Sequence, residues 1–303
     1  MQYENKYGVL KIYTQNEYTN RTVRDFLHDL RIGKKARHEL LQEKRIFLNH
    51  TVVENENTVL TADACLLFHI PHPGVDIPAS AIPCAVVYED DFVYVAHKPA
   101  GLIIHDENPA VETLATQAAA WQLRCGIRQP VRFIHRLDKL TAGLVLFMKI
   151  PLLQARFDAM LQSHEISREY LAICIGRSRV GQHFTYRQAI GRDRHTNGKY
   201  RFSATGKEAV TNVSVLARKG NYVLMRCRLE TGRTHQIRVH LSGNRHPIVN
   251  DPLYGVPAAP FSNMGLWADR IVWKNPLTHA VCVATDIPEA DYDFFDQDSY
   301  AER

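Results

Sequence analysis

No two of the six cysteines stand at C-x-x-C spacing, and none has a histidine partner at the spacing of a zinc site. Cys65, Cys84, Cys125, Cys174, Cys227 and Cys282 are scattered singly, mostly inside apolar runs. A zinc ribbon and a disulfide framework are therefore set aside in favour of reduced thiols in a cytosolic chain, and no metal site is expected. No uninterrupted apolar stretch reaches the roughly 18 residues that a membrane helix requires. The opening Met1-Gln2-Tyr3-Glu4-Asn5-Lys6 lacks the apolar core of a signal peptide, so a cytoplasmic protein without a membrane partner is expected. Nor is there a large excess of one charge: 37 Lys and Arg against 32 Asp and Glu leave a formal +5. That balance is compatible with a polyanionic partner but does not demand one. With 303 residues, 45% hydrophobic and 23% charged, the chain has material for about two globular domains.

What is present centres on residues 133–149, Phe-Ile-His-Arg-Leu-Asp-Lys-Leu-Thr-Ala-Gly-Leu-Val-Leu-Phe-Met-Lys. Val131 to Ile134 and Leu144 to Met148 have the length and composition of strands, and a polar loop, His135-Arg136-Leu137-Asp138-Lys139, lies between them. One carboxylate sits among cations on a loop held at both ends. Neighbouring positive charge favours its ionised form and buried anchors restrict its direction, which makes Asp138 the first candidate for chemistry. Taken alone, an Asp in such a position is more often a turn former or a solvated charge.

The N-terminal part reads as a strand at 9–14 with Leu10 and Ile12 on one face, then a helix opened by Thr22 whose Val23, Phe26, Leu27 and Leu30 share a face. Gly33 breaks it. A second helix follows at about 35–42 with Leu40 and Leu41 inward, and 45–53 is predicted to be a hairpin turning at Asn49-His50. Lys34, Lys35, Arg37, Lys44 and Arg45 face only Glu39 and Glu43, a local excess of cations that could grip phosphates or could be a solvated helix face. Residues 71–84 are rich in turn formers and read as a linker.

Beyond the linker, 86–96 reads as two paired strands, and Lys98-Pro99-Ala100-Gly101-Leu102 as a rigid turn whose lysine could meet a ligand or water. Helical spacing covers 111–124 and 152–161. In the strand at 166–176, alternation puts Arg168 and Tyr170 on one face, where they could line a cleft. Residues 185–209 read as a polar, basic hairpin region, and strands follow at 210–216 and 222–229. The last of these runs into Gly232-Arg233-Thr234-His235-Gln236-Ile237-Arg238-Val239-His240, where Thr234 is the expected N-cap and two or three of Arg233, His235, Gln236 and Arg238 are expected to point into a site. Asp251 to Gly255 reads as a turn, 266–268, 271–273 and 280–284 as strands, and the acidic stretch from Glu289 as a partly disordered tail.

H-R-L-D-x-x-T-x-G-L at 135–144, R-x-Y at 168–170 and G-R-T-H-Q-I-R-V-H at 232–240, preceded by K-P-A-G-L at 98–102, resemble the motifs of RluA-type pseudouridine synthases. The likeness runs from about 86 to 288, with small departures at Ala142, Arg168 and Trp267. Residues 1–70, with two short helices, a basic join and an F-L-N-H-T-V-V hairpin, resemble an S4-like RNA-binding domain. The resemblance implies an α+β fold, with a mixed, mainly antiparallel central sheet flanked by helices in 85–288 and the small S4-like domain before it. It also implies an RNA pseudouridine synthase, acting as a monomer without cofactor on ribosomal RNA or, alternatively, transfer RNA.

Asp138 would be the catalytic aspartate, Arg238 its ion-pair partner and Tyr170 the ring stacked on the target uracil, while Arg136 would hold the flipped-out nucleotide. His135, Arg168, Arg233, His235, Gln236, Lys34, Lys35 and Arg37 complete the expected RNA-contacting set. The isomerisation breaks the bond from N1 to C1′ and joins C5 to C1′ without redox change. An ionised carboxylate could attack or stabilise C1′, add to the uracil ring, or take a sugar proton. A glycoside hydrolase would need a second carboxylate, and a protein kinase would show H-R-D and a glycine-rich loop. The competing reading is an RNA-binding or assembly protein in which modification is incidental. Such a protein would have no physical reason to keep Asp138, Tyr170 and Arg238 together.

Overall fold

A computed structural model describes residues 1–6, 8–14, 16–288 and 290–295. Near the N-terminus, strands β1 (Gln2–Lys6) and β2 (Val9–Tyr13) pair antiparallel, and β2 buries Leu10 and Ile12 as its alternation requires. Helix α1 (Val23–Asp29) starts at Thr22, whose hydroxyl oxygen accepts the Asp25 N–H while Asp25 Oδ2 accepts the Thr22 N–H at 2.8 Å. Its Val23, Phe26 and Leu27 are fully buried. Helix α2 (Lys34–Gln42) buries Leu40 and begins at Gly33. Strands β3 (Ile46–Leu48) and β4 (Thr51–Val52) form the expected hairpin, with Asn49 and His50 at φ 47° and 71°, the left-handed pair that a two-residue turn demands. Strand β5 (Cys65–His69), which the sequence pattern did not single out, enters between β2 and β3 to complete the order β1-β2-β5-β3-β4.

This small unit does not close its own core. Its apolar cluster continues into Phe92, Val95, Leu144, Ile271 and Trp273 of the larger unit, with the Tyr3 ring 4.9 Å from that of Phe92. Residues 71–84 contain neither helix nor strand, yet they form a strap. Asp76 accepts from Val131 N and Arg132, Cys84 is buried, and Val75 and Ile77 pack on the core.

Among the described residues the larger unit holds a nine-stranded sheet. Its strands are β6 (Ala85–Glu89), β7 (Val93–Lys98), β8 (Ala142–Met148), β9 (Ser167–Ile175), β10 (His183–Tyr186), β13 (Thr211–Lys219), β14 (Tyr222–Leu229), β15 (Leu266–Lys274) and β16 (Val281–Thr285). The order is β10-β13-β14-β9-β15-β8-β7-β6, and the described pairs are antiparallel except β15 with β8. Strand β8 occupies the start of one edge of β15 and β16 the rest of it. That junction needs Gly143, whose φ is 110° and whose missing Cβ would lie 2.2 Å from the Ala268 carbonyl oxygen. A separate hairpin pairs β11 (Ile190–Arg192) with β12 (Tyr200–Phe202). Helices α3 (Leu114–Arg124), α4 (Gln154–Gln162) and α5 (Gln236–Gly243) flank the sheet. The mixed, mainly antiparallel α+β architecture agrees with the expectation.

One expectation is corrected here. Residues 131–134 are not a strand, and only Phe133 bridges Phe147. The ladder is interrupted because the His135 imidazole, not a backbone carbonyl, accepts the Leu146 N–H at 3.3 Å. Of the acidic stretch, expected to be partly disordered, only residues 290–295 are described. Residues Ala290–Phe294 form a 3-10 turn, Tyr292 and Phe295 are buried, and the Tyr292 hydroxyl donates to Leu171 O at 3.2 Å. Its aromatics outweigh its charges. Glu289 and 296–303 lie outside the described residues.

Candidate active site

The two faces of β7 and β8 serve different cores. Val93, Val95, Leu144 and Leu146 face the N-terminal unit's cluster, whereas Tyr94, Ala96, Val145 and Phe147 share a cluster with Leu137, Tyr170, Ile237 and Leu241. On that second face α5 lies across the sheet with Ile237 and Leu241 inward. The next position of the same helix, Arg238, is thereby aimed at the loop that precedes β8.

Asp138 is fixed by its neighbours before its own side chain is considered. Leu137 is buried on one side, and on the other the Lys139 carbonyl accepts from Gly101 N at 2.8 Å and from Lys98 Nζ at 3.0 Å. The Asp138 carbonyl takes the Thr141 N–H at 3.1 Å. Lys98 faces neither ligand nor water. It is fully buried, with its other two donors on Pro99 O and Leu102 O, so one ammonium ties the K-P-A-G-L turn to the aspartate loop. Burial lowers its pKa to about 8, against the opposing charge of Asp138.

Asp138 Oδ2 accepts from Arg238 Nη1 at 2.9 Å and lies 3.8 Å from His235 Nε2. Among the described residues Oδ1 accepts nothing, and the side chain keeps 26% of its exposure. One oxygen is anchored and the other is open to a ligand.

The rest of the Arg238 fork belongs to Asp251, with Nε on Oδ2 at 2.7 Å and Nη2 on Oδ1 at 2.8 Å. Asp251 Oδ1 also accepts from Leu253 N at 2.9 Å and Tyr254 N at 3.2 Å. Burial alone would push its carboxyl up, but the guanidinium and these N–H groups outweigh it and hold it below the usual range. Burial likewise opposes the charge on Arg238, and its bonds to Asp251 and then Asp138 drive its pKa upward. The sequence reading of 251–255 as a turn was correct but incomplete. The same carboxylate makes the turn and grips the arginine.

Tyr254 adds two further contacts. Its ring lies 5.0 Å from the Arg238 guanidinium, and its hydroxyl accepts from Tyr200 N at 2.7 Å. Its one proton is then free for His235 Nδ1 at 2.8 Å, an assignment from the network that leaves the imidazole N–H on Nε2, facing Asp138. Burial depresses the His235 pKa, which keeps the ring neutral despite the pull of Asp138.

Tyr170 is 4% exposed on the central strand of this face, between Cys227 and Ala268, and its phenol senses the charge of Asp138. Burial raises its pKa. Of the four expected turn residues, Arg238 and His235 reach Asp138. Arg233 is exposed and donates to Glu208 O at 2.8 Å. Gln236 is corrected from a site residue to a latch, because its amide is spent on Val210 O, Thr211 Oγ1, Thr231 Oγ1 and Arg233 N. His240 likewise bonds Thr211 and Gln188 O. Thr234 is not the cap of α5; His235 takes that position at φ 57°, with no side-chain bond to the helix. Arg136 is exposed, Arg168 is buried, and Lys34 and Lys35 are exposed on α2. Arg37 approaches Glu56 at 3.4 Å.

His135 is 5% exposed, and burial lowers its pKa to about 3, with Arg168 adding to the effect. An unfolded chain would protonate it near its ordinary 6.5, so between those values the unfolded state binds the extra proton and stability falls as pH drops from 6.5 toward 3. Urea midpoints followed from pH 7 to pH 5 are expected to fall more steeply for the wild type than for His135→Gln. Parallel curves would contradict this burial of a neutral ring.

Among the described residues no helix is long and apolar enough to cross a membrane, and no cluster of three metal-ligating side chains is present. Comparison with known proteins matches residues 92–243 to the RNA pseudouridylate synthase family and residues 10–65 to the RluD ribosomal pseudouridine synthase N-terminal domain. An RNA pseudouridine synthase of Bacillus subtilis, YhcT, itself uncharacterized, is 32% identical over 258 residues, 84% of this chain and 85% of that one. The ribosomal large subunit pseudouridine synthase D of Xylella fastidiosa is 34% identical over 72% of this chain and 65% of its own. Among solved structures, human RNA pseudouridylate synthase domain containing 1 superposes with a TM-score of 0.56 at 21% identity, over 70% of this chain and 86% of that one, a likeness of fold. With the family's matched region spanning the aspartate loop, the Tyr170 strand and the Arg238 helix, the chain belongs to the RNA pseudouridylate synthases.

Proposed function

We propose that the chain isomerises uridines of structured RNA, ribosomal RNA first, with Asp138 acting on the nucleotide, Arg238 and Asp251 orienting it, and Tyr170 lying against the base. The observation that carries this reading is the divided carboxylate, with Oδ2 locked to Arg238, Oδ1 without a partner among the described residues, and the charge felt by the Tyr170 phenol. A carboxylate held in this way is charged and directed, and needs no reorganisation when the substrate arrives. Attack at C1′, addition to the uracil ring and removal of a sugar proton all start from that species. A base stacked inside a helix is out of reach, so the nucleotide must be extruded, and a ring beside the carboxylate gives it a surface. Arg136, exposed two residues before Asp138, is placed to meet the displaced strand, and Lys34 and Lys35 offer exposed charge for phosphates.

The choice of ribosomal RNA rests on the name of the Xylella relative and on the match of residues 10–65. The test is to incubate the full chain with unmodified transcripts of ribosomal and transfer RNA, digest them to nucleosides and chromatograph. Pseudouridine is expected from the ribosomal transcript. Product from transfer RNA alone would overturn the substrate choice, and product from neither would overturn the reading.

A further inference from the structure

Arg168 stands on the face of β9 that carries Tyr170 and is only 8% exposed. Among the described residues it enters no ion pair. The adjacent acid in its strand, Glu169, faces the opposite side and approaches Arg226 at 3.9 Å and Arg270 at 3.8 Å. Arg168 Nε is buried without a hydrogen-bond partner. The guanidinium lies against Gly232, where an added Cβ would sit 3.3 Å from Nη1 and 3.5 Å from Nη2. Beside it, His135 presents a second orphan. Its Nε2 accepts from Leu146 N, so the neutral ring carries its proton on Nδ1, which is buried and also unpartnered.

A buried cation with no counter-charge is costly, and polar groups that lose water ordinarily find a partner. Here Arg168 Nε and His135 Nδ1 both lack one. Asp138 does not serve, because among the described residues no ion pair joins it to Arg168 and its Oδ2 is committed to Arg238. A neutral carbonyl would satisfy a hydrogen bond but leave the charge unbalanced, whereas a phosphate oxygen does both.

We propose that Arg168, with His135 Nδ1–H as second donor, binds a phosphodiester of the RNA strand that carries the target uridine, Gly232 leaving room for the guanidinium to lie where it does. This rests on the reading of the Asp138 face as the uridine site and adds to it the group that anchors the backbone. The free protein then carries an unbalanced charge that the RNA supplies, so occupancy of this site couples RNA binding to stability.

The test compares the full-length wild type, Arg168→Met and Arg168→Lys in binding unmodified ribosomal RNA transcript across a potassium chloride series, in turnover, and in thermal melting. Loss of one phosphate contact is expected to reduce the slope of log affinity against log salt by about 0.7 to 0.9 for Arg168→Met, with Arg168→Lys keeping the wild-type slope. The free Arg168→Met protein is expected to melt at or above the wild-type temperature, because an uncompensated charge has been removed. RNA should then raise its melting temperature less than it raises that of the wild type. A purely structural arginine gives the reverse, with a lower melting temperature or an insoluble Arg168→Met protein and an unchanged slope, and either result would overturn the proposal. So would an Arg168→Lys slope equal to that of Arg168→Met. If the wild type leaves the transcript's uridines unconverted while the slopes still differ, the functional reading falls and the phosphate site stands. Conversion with coincident slopes removes the phosphate site alone.

Discussion

Asp251→Ala is expected to lower the melting temperature by about 10 °C and kcat/KM by about a hundredfold or more. The stability loss follows from the environment of the carboxylate. Asp251 has no side-chain exposure, and removing it strands two arms of the Arg238 fork together with the N–H groups of Leu253 and Tyr254. Breaking a buried pair from one side costs about 3 to 5 kcal/mol, and for a chain of this size each kcal/mol shifts the midpoint by roughly 2 to 4 °C. The activity loss has a different origin. With Asp251 gone, Arg238 is free to swing its whole fork onto Asp138, which engages the oxygen that now stands open, and a displacement of about 1 Å at a reacting group is worth about 10² in rate. Asp251→Asn keeps one turn acceptor but sets an N–H against the guanidinium, so an intermediate loss is expected. Calorimetry and steady-state turnover on the three proteins check both effects. An Asp251→Ala protein that melts and turns over as the wild type would show that the fork does not position the site.

Asp251 also marks where reading the sequence stops. Its role in the turn at 251–255 was legible because Asp followed by Pro and Gly carries local information, but the arginine it holds lies 13 residues away on a helix whose rotation is set by Ile237 and Leu241. Lys98 was ambiguous for the same reason, since one of its three carbonyl partners is 41 residues distant. The elements around them followed directly from pattern. The α1 stripe, the Asn49-His50 hairpin and the alternation that puts Arg168 and Tyr170 on one face all rest on spacings of two to four residues. Misreadings occurred where a side chain replaces a backbone group. His135 stands in for a ladder acceptor at Leu146, and His235 takes the cap position in a left-handed conformation without bonding the helix. In the acidic stretch the charges gave no sign that Tyr292 and Phe295 bury themselves against the back of the sheet. Asp138 itself was legible as a held carboxylate among cations. That only one of its oxygens is engaged was not.

The second large effect concerns that free oxygen. In Asp138→Asn the amide oxygen can still accept from Arg238, and Arg238 remains balanced by Asp251, so the fold and the RNA-binding surface are expected to survive. What disappears is the charge, and with it each of the three routes from uridine, since a neutral amide neither attacks C1′, adds to the ring, nor takes a sugar proton. The loss should exceed about 10³-fold, the scale on which an activated nucleophile or base contributes. The decisive measurement is therefore pseudouridine formed in a single turnover by wild type and Asp138→Asn on the same transcript, alongside the dissociation constant of each for that transcript. Product is expected from the wild type only, with the two dissociation constants within about threefold of each other. Product from Asp138→Asn at a comparable rate would contradict the account.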